Sequence, residues 1–132
     1  MVYNTEHIPL LFILVFLVIV FIQSGVDKII NWKGNLEFTL STLSSKIPSF
    51  LVVFALFIVL LLETFGGFAS IGGIIELIFC KDQYLWAQIG ITSCSSALIV
   101  LLLGQRISQN YVDAKTIVIY FIVALIGLTL VF

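Results

Sequence analysis

Glu63 is the residue whose type and position most invite chemistry. It stands near the far end of an apolar run that begins at Ile47 and holds no other charge before it. An ionised carboxylate inside a bilayer costs roughly 2.5–3.5 kcal/mol on insertion scales. A chain keeps such a group when it is paired, protonated or used. Gly66, Gly67, Ser70, Gly72 and Gly73 follow it as a patch of small residues. Small residues let helix backbones approach closely in lipid, where packing drives association, and they also leave room for a flat ligand. Gly67 and Ser70 share the helical face of Glu63. The pair Gly72-Gly73 is where this helix is expected to end or bend.

A second polar set lies further along. Gln88, Thr92 and Ser95 or Ser96 follow helical spacing and share one face. Glu63 comes 15 residues after Pro48, roughly 22 Å along a helix, and Thr92 is roughly 12 Å inward from Tyr84. The two sets therefore reach a similar depth, and the stripe is expected to face Glu63. Such a juxtaposition serves either as polar glue between helices or as a pocket for a ligand or proton. Lys28 is the tempting partner for Glu63. The same depth count sets them roughly 20 Å apart along the membrane normal, so Lys28 reads as a snorkelling side chain at a helix end.

Soluble-type catalysis finds no footing. The chain has no phosphate-binding glycine loop and no nucleophile elbow. Its single His7 reads as an exposed tail residue, and Cys80 and Cys94 as apolar packing groups, with no disulfide expected. No metal site is expected, and the chain alone cannot supply two histidines to a haem. Tyr120 reads as an interfacial ring.

The elements that must position these residues follow from composition. Of 132 residues 61% are hydrophobic and only 10% are charged, with mean hydropathy +1.26. That apolar excess is far beyond what one small core can bury, so lipid must solvate most of it. The net charge of −1 gives no reason to expect nucleic-acid binding. Four apolar runs, at about residues 8–25, 48–70, 84–103 and 116–132, approach the ~20 residues a helix needs to span the hydrocarbon core. Helices satisfy every backbone group in lipid, and the alternating short segments of a β-barrel are absent. The expectation is an all-α integral membrane four-helix bundle forming a single domain.

Pro48 suits a first helical turn, with Ser44 or Ser45 as its cap. Residues 26–45 are expected to form a partly ordered segment on the membrane surface. The first run has no preceding Lys or Arg and no small-x-small cleavage site, so it reads as a retained span. Lys28, Lys33, Lys46, Arg106 and Lys115 fall in the first and third connections, and only Lys81 in the second. The positive-inside rule then places both termini outside.

A first helix closing on Gly25-x-x-Lys28, with Glu63-x-x-Gly66-Gly67 and a later Gly72 in the second, resembles the DoxX-like family of small four-helix membrane proteins. Gly25, Lys28, Glu63 and Gly67 carry that resemblance. The family usually has an Arg early in its first helix, and this chain has none there. The resemblance implies a bacterial or archaeal inner-membrane protein tied to quinone or sulfur redox chemistry, an accessory subunit of a membrane redox complex with no cofactor held by this chain alone and quinone as the one to expect nearby. Two other readings stay open from the residues themselves. One is a structural or assembly subunit of a larger membrane complex. The other is a small transporter or channel subunit that lines a path only after oligomerisation.

Overall fold

The computed structural model describes residues 7–79 and 84–132. These form five helices and no strand: α1 (Ile8–Ile30), α2 (Trp32–Leu43), α3 (Ser49–Ile78), α4 (Leu85–Ile107) and α5 (Tyr111–Val131). α1, α3, α4 and α5 are each long and apolar enough to cross a membrane. The protein is an all-α bundle of the multi-pass membrane kind. Its 30-residue α3 is about 45 Å long, well beyond the ~30 Å hydrocarbon core.

Local chemistry sets the helix ends. Pro9 sits in the first turn of α1, where its missing N–H removes no helical bond. Pro48, with φ −55° and ψ 140°, holds the extended residue ahead of α3. Neither serine caps that start, contrary to expectation: Ser44 instead closes α2 and Ser45 lies in the turn beyond it. Asn110 caps α5 by accepting from the Asp113 amide at 3.3 Å, just after Gln109 takes φ 62°. That left-handed residue lets the chain reverse within a few residues of α4.

Three expected features differ. The connection after α1 contains a full helix, α2, stapled to α1 by Asp27. Its carboxylate accepts from Asn31 at 2.9 Å and from Asn35 at 3.4 Å across the break between the two helices. α3 runs unbroken through Gly72 and Gly73 to Ile78. The start of α4 packs on both glycines, so an added Cβ would meet Trp86 or Ala87, and that contact offsets their poor helix propensity. His7 is half-buried rather than free, bonded to the Tyr84 hydroxyl at 2.7 Å with the rings edge to face. Cys80 and Lys81, on which the reading of the second connection rests, lie outside the described residues.

The main packing is α3 on α4, α1 on α3, and α4 on α5. Leu14, Leu17 and Phe21 of α1 meet Ile91, Cys94 and Leu98 of α4 and Ala124 of α5 in the core. Phe12, Phe54, Phe65, Phe68 and Ile122 point outward as an apolar exterior. At one end Lys46 Nζ donates to the Ile107 carbonyl at 2.8 Å, joining the basic first and third connections. At the other, Gln88 Nε2 donates to the Val131 carbonyl at 2.7 Å, beside the His7–Tyr84 contact. The start of α1 and the end of α5 thus share one end of the bundle.

Candidate functional site

The site is built where α1 crosses the middle of α3. Gly25 lies so close to Thr64 that an added Cβ would stand 2.7 Å from the threonine Oγ1. One turn earlier on α1, Ile22 fills the space over Gly67, again within 2.7 Å of a Cβ placed there. These two contacts lock the register of the helix pair. The register carries Lys28 onto Glu63, Nζ to Oε2 at 3.1 Å. Lys28 also donates to Ser24 Oγ at 2.7 Å, one turn back on its own helix.

This pairing corrects the expectation that the two residues sit far apart. Glu63 does stand about 21 Å from the start of α3. Lys28, however, is not level with that start. α1 runs about 3 Å past Lys28, and the 12 residues of α2 add about 18 Å. α2 descends along the first half of α3, with Trp32 edge to face on Phe57 at 6.4 Å. The span of α2 is therefore the offset that sequence counting had assigned to the gap between the charges.

Glu63 is 1% exposed, and the Lys28 side chain 12%. A buried ion pair gains attraction in a low dielectric but loses hydration, so its net contribution is small, whereas removing one partner leaves a costly lone charge. Among the described residues Glu63 Oε1 has no hydrogen-bond partner, and neither does the buried Thr64 Oγ1 beside it. The pair therefore keeps one carboxylate oxygen in reserve. It can bind a proton or a donor without first breaking the bond to Lys28.

The third-run stripe does not join this site. Gln88 turns to the end of α5, Thr92 faces outward, and Ser96 donates to the Thr92 carbonyl at 2.9 Å. Ser95 is buried, and its hydroxyl returns to the Ile91 carbonyl at 2.8 Å. The face of α4 turned to Glu63's helix holds Ala87, Gly90 and Cys94 instead. Helical spacing groups Gln88, Thr92 and Ser95 or Ser96 within one helix, but it cannot say which neighbour each of them meets.

The small residues of α3 divide between two partners. Gly66 lies against Cys94 and the Gly90 carbonyl, and Gly73 against Ala87. Gly67 faces Ile22 of α1, and Gly72 faces the Trp86 ring. Ser70 is fully buried, packed on Gly90, with its hydroxyl donated to the Gly66 carbonyl at 2.8 Å. These contacts fill the space beside Gly66, Gly67, Gly72 and Gly73 with side chains and backbone of α1 and α4.

Two groups escaped the sequence reading. Glu76, 7% exposed, accepts from the Trp86 amide at 2.8 Å and so caps the first turn of α4. Its place 13 residues after Glu63 on one helix was the available signal. Gln105 Oε1, near the end of α4, is buried with no partner among the described residues. Among the described residues no group of three His, Cys, Asp or Glu side chains is arranged to hold a metal. No protein-family model matches the chain, and neither a curated protein nor a solved structure does.

Proposed function

We propose that this multi-pass membrane protein is an accessory subunit of a quinone-linked redox complex in a bacterial or archaeal cytoplasmic membrane, with both termini outside. The observation that supports it is the Lys28–Glu63 pair, buried midway along α3 with one carboxylate oxygen unpartnered. The pair involves Lys28 and Glu63 of the four residues that carry the DoxX-like resemblance. The other two, Gly25 and Gly67, are the contacts that bring the charges together.

The chain offers a cavity of about 480 Å³ with Lys28 in its wall, mostly apolar otherwise, and a quinone ring with a short tail fits that volume. Lys28 would donate to a head-group oxygen, and Glu63 would hold the ammonium in place and take up or release a proton at Oε1. A bound quinone would supply the electron-carrying chemistry. The transport reading loses support, because the polar stripe of α4 turns away from Glu63.

The test is gentle extraction of the tagged protein from its native membrane, with mass spectrometry of what accompanies it and a quinone assay on the same sample. A stoichiometric redox subunit is the expected result. Glu63→Gln should then lower quinone-linked turnover by about 10²-fold with the complex still assembled. Normal turnover with Gln would favour the second reading, an assembly subunit in which the pair fixes helix register. The tight contacts at Gly25 and Gly67 on either side of the pair support that alternative.

A further inference from the structure

The cavity is a half-open cleft between α2, the first half of α3 and the end of α4, with Lys28 of α1 and Asp113 of α5 in its wall and a volume of about 480 Å³, inside the range of small-molecule sites. Leu56 and Val59 represent its apolar wall, and Lys28, Thr39, Thr42 and Gln105 its polar one. The polar wall leans toward accepting, with amide and ammonium donors beside the acceptors. The hydroxyl of Thr39 is donated to the Asn35 carbonyl at 2.8 Å and that of Thr42 to the Thr39 carbonyl at 3.0 Å. Both threonine oxygens keep only lone pairs to offer. Gln105 Oε1 is a buried acceptor with no partner among the described residues, and such a group costs free energy until something donates to it. Donors are left on the Gln105 amide nitrogen and on Lys28, whose ammonium makes two side-chain bonds and has a third hydrogen to give.

The charge balance narrows the occupant further. Lys28 is already neutralised by Glu63, and Asp113 is the other charged residue of the wall. An anionic head would place a second negative charge on one lysine in a low dielectric, so a neutral head is favoured.

We propose that this cavity binds a neutral, lipid-soluble molecule whose head group carries hydroxyls, which donate to Gln105 and the threonines while an oxygen accepts from Lys28. The apolar tail lies along the first half of α3. This deepens the quinone reading, because the site then takes the hydroxyl-bearing quinol over the carbonyl-only quinone. It depends on that reading for the quinol alone, since a glycerol monoester has the same head chemistry without any redox partner.

The test uses the full chain in phosphatidylcholine nanodiscs and four probes that carry a diazirine in the alkyl tail: an alkyl benzoquinol, the matching benzoquinone, a monoacylglycerol and the matching fatty acid. Photolabelling is mapped by peptide mass spectrometry. The expected result is labelling of α2 and the first half of α3 by the quinol, the monoacylglycerol or both, at least fivefold above the quinone and the fatty acid. Which of the two labels names the natural source. Gly104 is the residue to plug, because a Cβ there meets only Leu43 at an ordinary 3.8 Å and a side chain grows into the cavity. Gly104→Phe should abolish the labelling, Gln105→Leu should reduce it at least threefold, and Gly104→Ala should keep it within twofold. Equal or stronger labelling by the quinone or the fatty acid overturns the proposal. So does labelling that neither Gly104→Phe nor Gln105→Leu changes, or no labelling by either hydroxylated probe. None of these outcomes bears on whether a redox subunit accompanies the protein, so the two readings can fail separately.

Discussion

The two halves of α3 belong to one unbroken helix yet build opposite surroundings. From residue 63 onward the helix presents Gly66, Gly67, Ser70 and Gly73, and its neighbours close to backbone contact on two sides. From 49 to 62 it presents Phe, Leu, Val and Ile with Ala55 as its one small residue after Ser49, and its neighbours stand off far enough to leave the cavity. Side-chain volume sets helix separation in lipid, where no hydrophobic force pulls helices together. The same chain thus makes a tight seam and an open chamber by changing residue size along one helix. The ion pair sits at the boundary, with Glu63 sealed in the seam and Lys28 reaching the chamber wall.

The comparison breaks most severely at that boundary. Glu63→Leu leaves the Lys28 ammonium without its partner inside the bundle, and destabilisation of about 3–5 kcal/mol is expected. Reversible unfolding in mixed micelles measures it, and Lys28→Met added to Glu63→Leu should recover more than half of the loss. Full additivity of the two substitutions would show that the pair is not coupled.

The seam itself is next. At Gly90 an added Cβ would stand 2.6 Å from Ser70 Oγ and 2.7 Å from the Ser70 amide, which is backbone and cannot give way. Gly90→Val should cost about 1–3 kcal/mol in the same assay, or more if α3 and α4 separate. A smaller effect belongs to the far end of the seam. Glu76→Ala removes the carboxylate that caps α4 through Trp86, for an expected loss of about 0.5–2 kcal/mol. Amide exchange should rise in the first turn of α4 and nowhere in the chamber.

The smallest effect has the opposite sign. Gly104→Ala lies on the chamber side with open space around it, so only helix propensity speaks. The substitution should stabilise by up to about 1 kcal/mol. If Gly90→Ala and Gly104→Ala gave the same sign, the division of the bundle into seam and chamber would be wrong.

Much of this was legible beforehand because lipid imposes simple rules. Length and hydropathy alone dictated the spanning helices and their number, and α1, α3, α4 and α5 answer to the four runs. Glu63 could be singled out because a lone carboxylate in an apolar run is rare. The run limits were shorter than the helices, since polar residues such as Asp27 and Glu76 continue a helix when they find partners. α2 was read only as a partly ordered surface segment, because its mixed composition satisfies neither the spanning pattern nor a clean amphipathic one.

What the sequence by itself determined is which segments must be helical and which side chains are too costly to leave unpartnered in lipid. Helical periodicity could also say that Gln88 and Thr92 share a face. Only the tertiary structure decided which faces meet, because that depends on the register between helices and not on spacing within one. The close approach at Gly25 and Gly67 and the length of α2 set that register. They moved Lys28 onto Glu63 and turned the polar stripe of α4 away. The chamber beside Lys28 is likewise a product of helix separation, a distance between elements that no single segment encodes.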